Sequence, residues 1–180
     1  MEQKSYRSNY YNNISIKILQ PNADIVLQLV EEIKHEIMHS GDINQARMYN
    51  WYENWQNKNI EYTLVAVEND TNKPIGMSSY KSDGKVLCYL YTLADYRVKY
   101  RDLAQIDYLP LHVKYCTLDK IYLSIHAFTK SHERLAKAWN KKILNGGIPE
   151  EVTPYKGRFK YCGIQNIANV DQHVYELEIR

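Results

Sequence analysis

Phenylalanine is almost missing from this chain, with two among 180 residues, while tyrosine occurs seventeen times. Tyrosine packs much as phenylalanine does but keeps a hydroxyl that needs a partner when buried, so the aromatic content predicts amphipathic packing residues and no particular chemistry. Cysteine is also sparse. Cys88, Cys116 and Cys162 are odd in number, far apart and form no CxxC pair, which excludes a disulfide framework and a cysteine zinc site as organising features and fits a reducing, cytoplasmic setting. Long apolar runs are absent from the N-terminus, which is polar from Glu2 to Asn13. Residues 1–13 are therefore expected to be a flexible segment, with neither a signal peptide nor a membrane span. No sign of charge dominates: 23 basic against 21 acidic side chains leave a formal +2, which does not indicate a nucleic-acid partner. None of these numbers fixes an oligomeric state.

What is present is an alternation of strand and helix patterns over residues 14–180, the size of one domain with its own core. Ile14, Ile16 and Ile18 alternate with Ser15, Lys17 and Leu19, a strand stopped by Pro21. Asn22 or Asp24 can cap the helix that follows, whose buried stripe is Val26, Leu29, Val30, Ile33 and Ile37. A second helix is predicted over 43–55, with Met48, Trp51, Tyr52 and Trp55 on one face. Three strand-like runs at 61–68, 74–80 and 86–92 are separated by Asn- and Gly-rich turns and form an antiparallel meander. Then come a helix over 102–115, interrupted by Pro110, a strand over 120–126, a helix over 131–144, and strands at 158–162 and 170–179. The passage from Val86 through Asp102 to His126 calls for a parallel crossover. The fold class is accordingly α/β (α+β): a mixed, mostly antiparallel sheet of about six or seven strands with about four helices on both faces.

This order of elements resembles that of the GNAT family of N-acyltransferases over residues 14–180, read as a single domain. The nearest local match is Tyr100-Arg101-Asp102-Leu103-Ala104-Gln105, set against the family's acyl-CoA signature of Gln or Arg, two residues, Gly, one residue, Gly or Ala. Ile121-Tyr122-Leu123-Ser124-Ile125-His126 resembles the family's following strand, and Arg134-Leu135-Ala136-Lys137-Ala138-Trp139 the helix after it. The tract 124–139 is also similar to GNAT-like proteins predicted in tailed bacteriophages.

The resemblance implies transfer of an acetyl or related acyl group from acyl-CoA, most simply acetyl-CoA, to an amine acceptor by direct attack, with no metal required. It also implies a splayed strand at 89–93, where Tyr91, Thr92 and Leu93 align the thioester. Arg97, Lys99, Arg101, Asp102, Leu103, Ala104 and Gln105 would form the turn that holds phosphate. His126, at the end of the next strand, is the candidate proton acceptor, and His132 is a second candidate in the helix after it. Trp139 stands near where many members carry an acidic tyrosine, and its N–H is too weak an acid for that role. The sequence departs from the signature at its glycines. Aligned on Arg101, those positions hold Ala104 and Ile106, and aligned on Arg97, Tyr100 and Asp102. Glycine lets backbone approach a phosphate closely, and Asp102 would repel one.

Two other readings compete. His35-Glu36-Ile37-Met38-His39 is an HExxH sequence on a helix, the spacing with which a zinc peptidase holds its metal and activates water, although the helix stops at once and no third ligand motif follows. Loss of the glycines instead suits a GNAT-like module that binds without catalysing, for which an exposed patch around Trp51 and Trp55 would be the contact surface.

Overall fold

The computed structural model describes residues 4–41, 48–81, 86–101, 103, 107–115, 120–126, 160–167 and 170–178. Among the described residues, eight strands form one sheet. In chain order they are β1 (Lys4–Arg7), β2 (Ile14–Leu19), β3 (Tyr62–Glu68), β4 (Lys73–Lys81), β5 (Val86–Thr92), β6 (Lys120–His126), β7 (Lys160–Ile167) and β8 (Val170–Glu178). Their spatial order is β1-β2-β3-β4-β5-β6-β8-β7, and only β5 and β6 run parallel. The mixed, mostly antiparallel α+β architecture read from the sequence is the observed one. The additional strand is β1, in the segment expected to be flexible: Lys4 to Arg7 pair with Ile18 to Ser15. Ser8 and the Asn9 amide then bond the Asp107 carboxylate at 2.6 and 2.8 Å, which ties the β1–β2 connection to a residue almost a hundred positions further along the chain. Burial raises the pKa of Asp107, and these two donors oppose that shift.

Each sheet face carries its own core. α1 (Asp24–His39) buries the expected stripe Val26, Leu29, Val30, Ile33 and Ile37 against Val65, Val67 and Met77, together with α2 (Tyr49–Tyr52) and the short helical turn Trp55–Asn57. Ala23 occupies the cap position of α1 without a side-chain bond, and Asp24 lies in the first turn, where its charge favours the helix. Trp51 and Trp55 are 8 % and 4 % exposed and belong to this core, and Trp55 Nε1 donates to the Pro21 carbonyl. The aromatic surface patch expected of a binding module is thus interior. On the opposite face, Ile14, Ile16, Ile18, Leu64 and Ile75 pack against α3 (Leu109–Tyr115). α3 follows directly on a π-helical turn at 107–108, so Pro110, its second residue, stands next to an irregular, widened turn of the kind expected where a proline interrupts a helical path. The predicted helix over 131–144 lies outside the described residues.

Tyrosines do much of the packing, and Tyr52, Tyr80, Tyr100 and Tyr108 are among the largest fully buried side chains. At the centre of the α3-side core, His112 is also buried. Tyr62 Oη lies 3.0 Å from its Nδ1 and Ser78 Oγ lies 2.8 Å from its Nε2.

Candidate active site

The candidate site is the gap between the two parallel strands. β5 pairs with β6 at Val86–Tyr122 and Leu87–Leu123, and among the described residues the ladder goes no further toward the C-terminal ends. From there β5 follows β4 (Met77–Tyr91, Gly76–Thr92), while β6 follows β8 (Ser124–Val174, His126–Gln172). A notch therefore opens between residues 88–92 and 124–126. Its cause is local. Ser79 pairs with Cys88 but Met77 with Tyr91, so two steps along β4 face three along β5. The extra residue bends β5 and reverses its side-chain phase. Opposite Leu87, Tyr80 belongs to the α3-side core, whereas Tyr91 and its partner Met77 belong to the α1-side core.

Gly76 holds the bent strand from behind. A Cβ at this position would lie 2.8 Å from the Tyr91 carbonyl oxygen and 3.2 Å from both Thr92 Oγ1 and the Tyr108 hydroxyl. The strand end is further fixed by the Leu93 amide, which donates to the Ile75 carbonyl at 2.9 Å.

The turn after β5 starts at Ala94–Tyr96 and carries the expected cations, but they diverge. Arg97 Nε donates to the Thr92 carbonyl at 2.7 Å, its guanidinium covers the Tyr91 ring at 4.8 Å, and Nη2 lies 3.8 Å from Glu36. Burial pushes the Tyr91 hydroxyl up to about 12, so it stays protonated and donates to Glu36 at 3.1 Å. Lys99 stands 3.5 Å from Glu68 and over the Tyr100 ring, whose hydroxyl is the first cause of its raised pKa. Arg101 is exposed, and among the described residues no ion pair engages it. Leu103 is buried in the α3-side core. His126 ends β6 beside Gln172, on the other lip of the notch. Asp102, Ala104, Gln105, His132 and Trp139 lie outside the described residues.

The HExxH helix does not assemble a metal centre among the described residues. His35 and His39 are exposed and stack on each other with ring centroids 4.1 Å apart, and His39 Nδ1 lies 2.8 Å from the His35 carbonyl. Glu36 instead bonds the turn after β5. Its carboxylate was legible only as part of the HExxH spacing, because its partners lie 55 and 58 residues away.

No protein-family model and no curated protein sequence matches the chain. Solved structures do match in fold. A GNAT-family acetyltransferase from Streptococcus agalactiae superposes with a TM-score of 0.55 at 14% identity, covering 95% of this chain and 98% of its own. A SpeG spermidine N-acetyltransferase chimera from Vibrio cholerae and hSSAT gives 0.52 at 13% identity over 93% of this chain and 95% of its own. The yncA protein of Salmonella typhimurium, solved with its cofactor acetyl-CoA, gives 0.53 at 16% identity over 94% and 95%. The chain therefore has the fold of GNAT acetyltransferases.

Proposed function

We propose that the protein is a GNAT-family N-acyltransferase that moves an acetyl or related acyl group from acyl-CoA to an amine. The observation that carries this reading is the parallel pairing of β5 and β6, which among the described residues ends at Leu87–Leu123 and leaves backbone edges on both sides of a notch. Such edges can bond an extended pantetheine arm, much as an added strand would. Arg101, which is exposed, is the candidate for a phosphate contact, and Tyr91 to Leu93 are the candidates for aligning the thioester. The acceptor nitrogen attacks the thioester carbon, the C–S bond breaks, CoA leaves as thiolate, and the amine proton passes to a base for which His126 is the candidate. The amine itself is left open, because acceptor choice lies in side chains around the cleft and not in the fold.

A second reading, a GNAT-like module that does not transfer, is favoured by one observation: Arg97 and Lys99 are drawn to Glu36 and Glu68 and away from a common phosphate position. The two readings separate on ligand binding. Acetyl-CoA at a hundredfold excess over its dissociation constant is expected to stabilise the native state by about 2.7 kcal/mol, read as a rise in the unfolding midpoint. Desulfo-CoA serves as the thiol-free control. Arg101→Ala should weaken acetyl-CoA at least about tenfold if the arginine makes a charge-assisted phosphate bond. No shift at millimolar acetyl-CoA leaves the non-transferring module.

A further inference from the structure

The turn after β5 is capped from a distant helix. Its first residue is Ala94, and Leu93, at the capping position, has no side-chain acceptor for the Ala94 N–H. The acceptor is Glu36 of α1, whose two carboxylate oxygens lie 3.0 and 3.1 Å from the Ala94 nitrogen. The same group receives the Tyr91 hydroxyl at 3.1 Å and faces Arg97 at 3.8 Å. One carboxylate thus gathers contacts from both sides of Leu93, where the strand becomes the turn.

Its position on α1 makes the arrangement more telling. Glu36 lies in the last turn of a helix ending at His39, where a negative charge is disfavoured by the helix dipole. It is also only partly exposed, with 24 % side-chain accessibility. The contacts across to the turn compensate for both costs. β5 needs such an anchor, because beyond Leu87 it has lost its β6 neighbour on one side. The bonds to β4 hold the other edge, and Glu36 holds the point where the chain turns.

We propose that Glu36 is a positioning residue of the acyl-CoA site, fixing residues 91–97 in the conformation that keeps the notch open. This rests on the acyltransferase reading of the same notch. Glu36 touches neither thioester nor acceptor in this scheme. It acts through the Ala94 amide, the Tyr91 hydroxyl and the Arg97 guanidinium.

The test compares full-length wild type, Glu36→Ala and Glu36→Gln by calorimetric titration with acetyl-CoA and by hydrogen exchange at the Ala94 amide. Glu36→Ala is expected to raise Kd at least about tenfold and to speed Ala94 exchange by a similar factor. Glu36→Gln keeps an acceptor oxygen for Ala94 but no charge for Arg97, so it should restore most of the exchange protection and leave Kd between the other two. That partial rescue is what general destabilisation would not give. Unchanged Kd in Glu36→Ala overturns the positioning role while leaving the acyltransferase reading intact, whereas a wild type that does not bind acetyl-CoA overturns both. If Glu36→Ala fails to fold, Glu36→Gln decides: Kd equal to wild type overturns the proposal, and a several-fold rise supports it.

Discussion

Acidification from about pH 7.5 to about pH 4.5 is expected to cost the protein roughly 2–3 kcal/mol through His112 alone, a value that follows from linkage. The imidazole is buried among Tyr62, Ser78 and Tyr80, and burial lowers its pKa from 6.5 to about 3. Because the folded value lies below the unfolded one, the unfolded chain takes up a proton between them that the native state does not. The stabilisation is complete above about pH 6.5 and falls by about 1.4 kcal/mol per unit as pH drops toward the folded value. Urea midpoints at the two pH values measure this directly. Carboxylates also titrate in this range, so His112→Gln is the control: it can still bond the two hydroxyls but cannot titrate. The variant should be less stable at neutral pH and lose roughly 2–3 kcal/mol less on acidification. Parallel losses in the two proteins would show that the histidine is not held neutral.

Gly76→Ala should be the most damaging small substitution near the notch. Replacing glycine in a strand ordinarily gains up to about 1 kcal/mol by restricting the unfolded chain. Here the added methyl would stand 2.8 Å from a backbone oxygen of Tyr91, which cannot rotate away, with Thr92 and Tyr108 close behind. The clash outweighs the entropy, for a net loss of about 1–3 kcal/mol. The strand end must also shift, so acetyl-CoA binding should weaken by more than the stability loss explains. Ile16→Val, three strands away in β2, costs about 0.5–1.5 kcal/mol without moving β5 and gives the baseline. Should Gly76→Ala bind acetyl-CoA as tightly as that control does, the end of β5 is not part of the ligand site.

Much of the scaffold was legible because its periodicities are strong. The alternating isoleucines gave β2, the spacing of Val26, Leu29, Val30, Ile33 and Ile37 gave the buried face of α1, and the turn-rich segments bounded β3, β4 and β5. β1 was missed because Lys-Ser-Tyr-Arg has almost no apolar alternation, and an edge strand exposed everywhere but at Tyr6 needs none. Of the predicted helix over 43–55, residues 43–47 lie outside the described ones, and the rest is a four-residue turn of helix at Tyr49–Tyr52 and a short tight one at Trp55–Asn57, since Asn54 between them adopts a positive φ that ends regular helix. The notch was legible in outline, at the end of β5 and β6. The fates of Arg97 and Lys99 were not, because each is settled by a glutamate brought near by the fold: Glu36 from α1 and Glu68 from β3. The extra residue in β5 was equally hidden, since a bulge changes which side chains share a face without leaving a mark in hydrophobic spacing.

The two rungs that join β5 to β6 among the described residues also have a mechanical meaning. They divide the sheet into a five-strand plate, β1 to β5, and a three-strand plate, β6 to β8, each laced internally by much longer ladders. A seam this short is where the two plates part most easily under tension or during partial unfolding. A molecule seated across the gap and bonded to both lips would act as a rivet, adding to a joint held otherwise by a short ladder and by the core that Tyr175 shares with β2, β3 and β4.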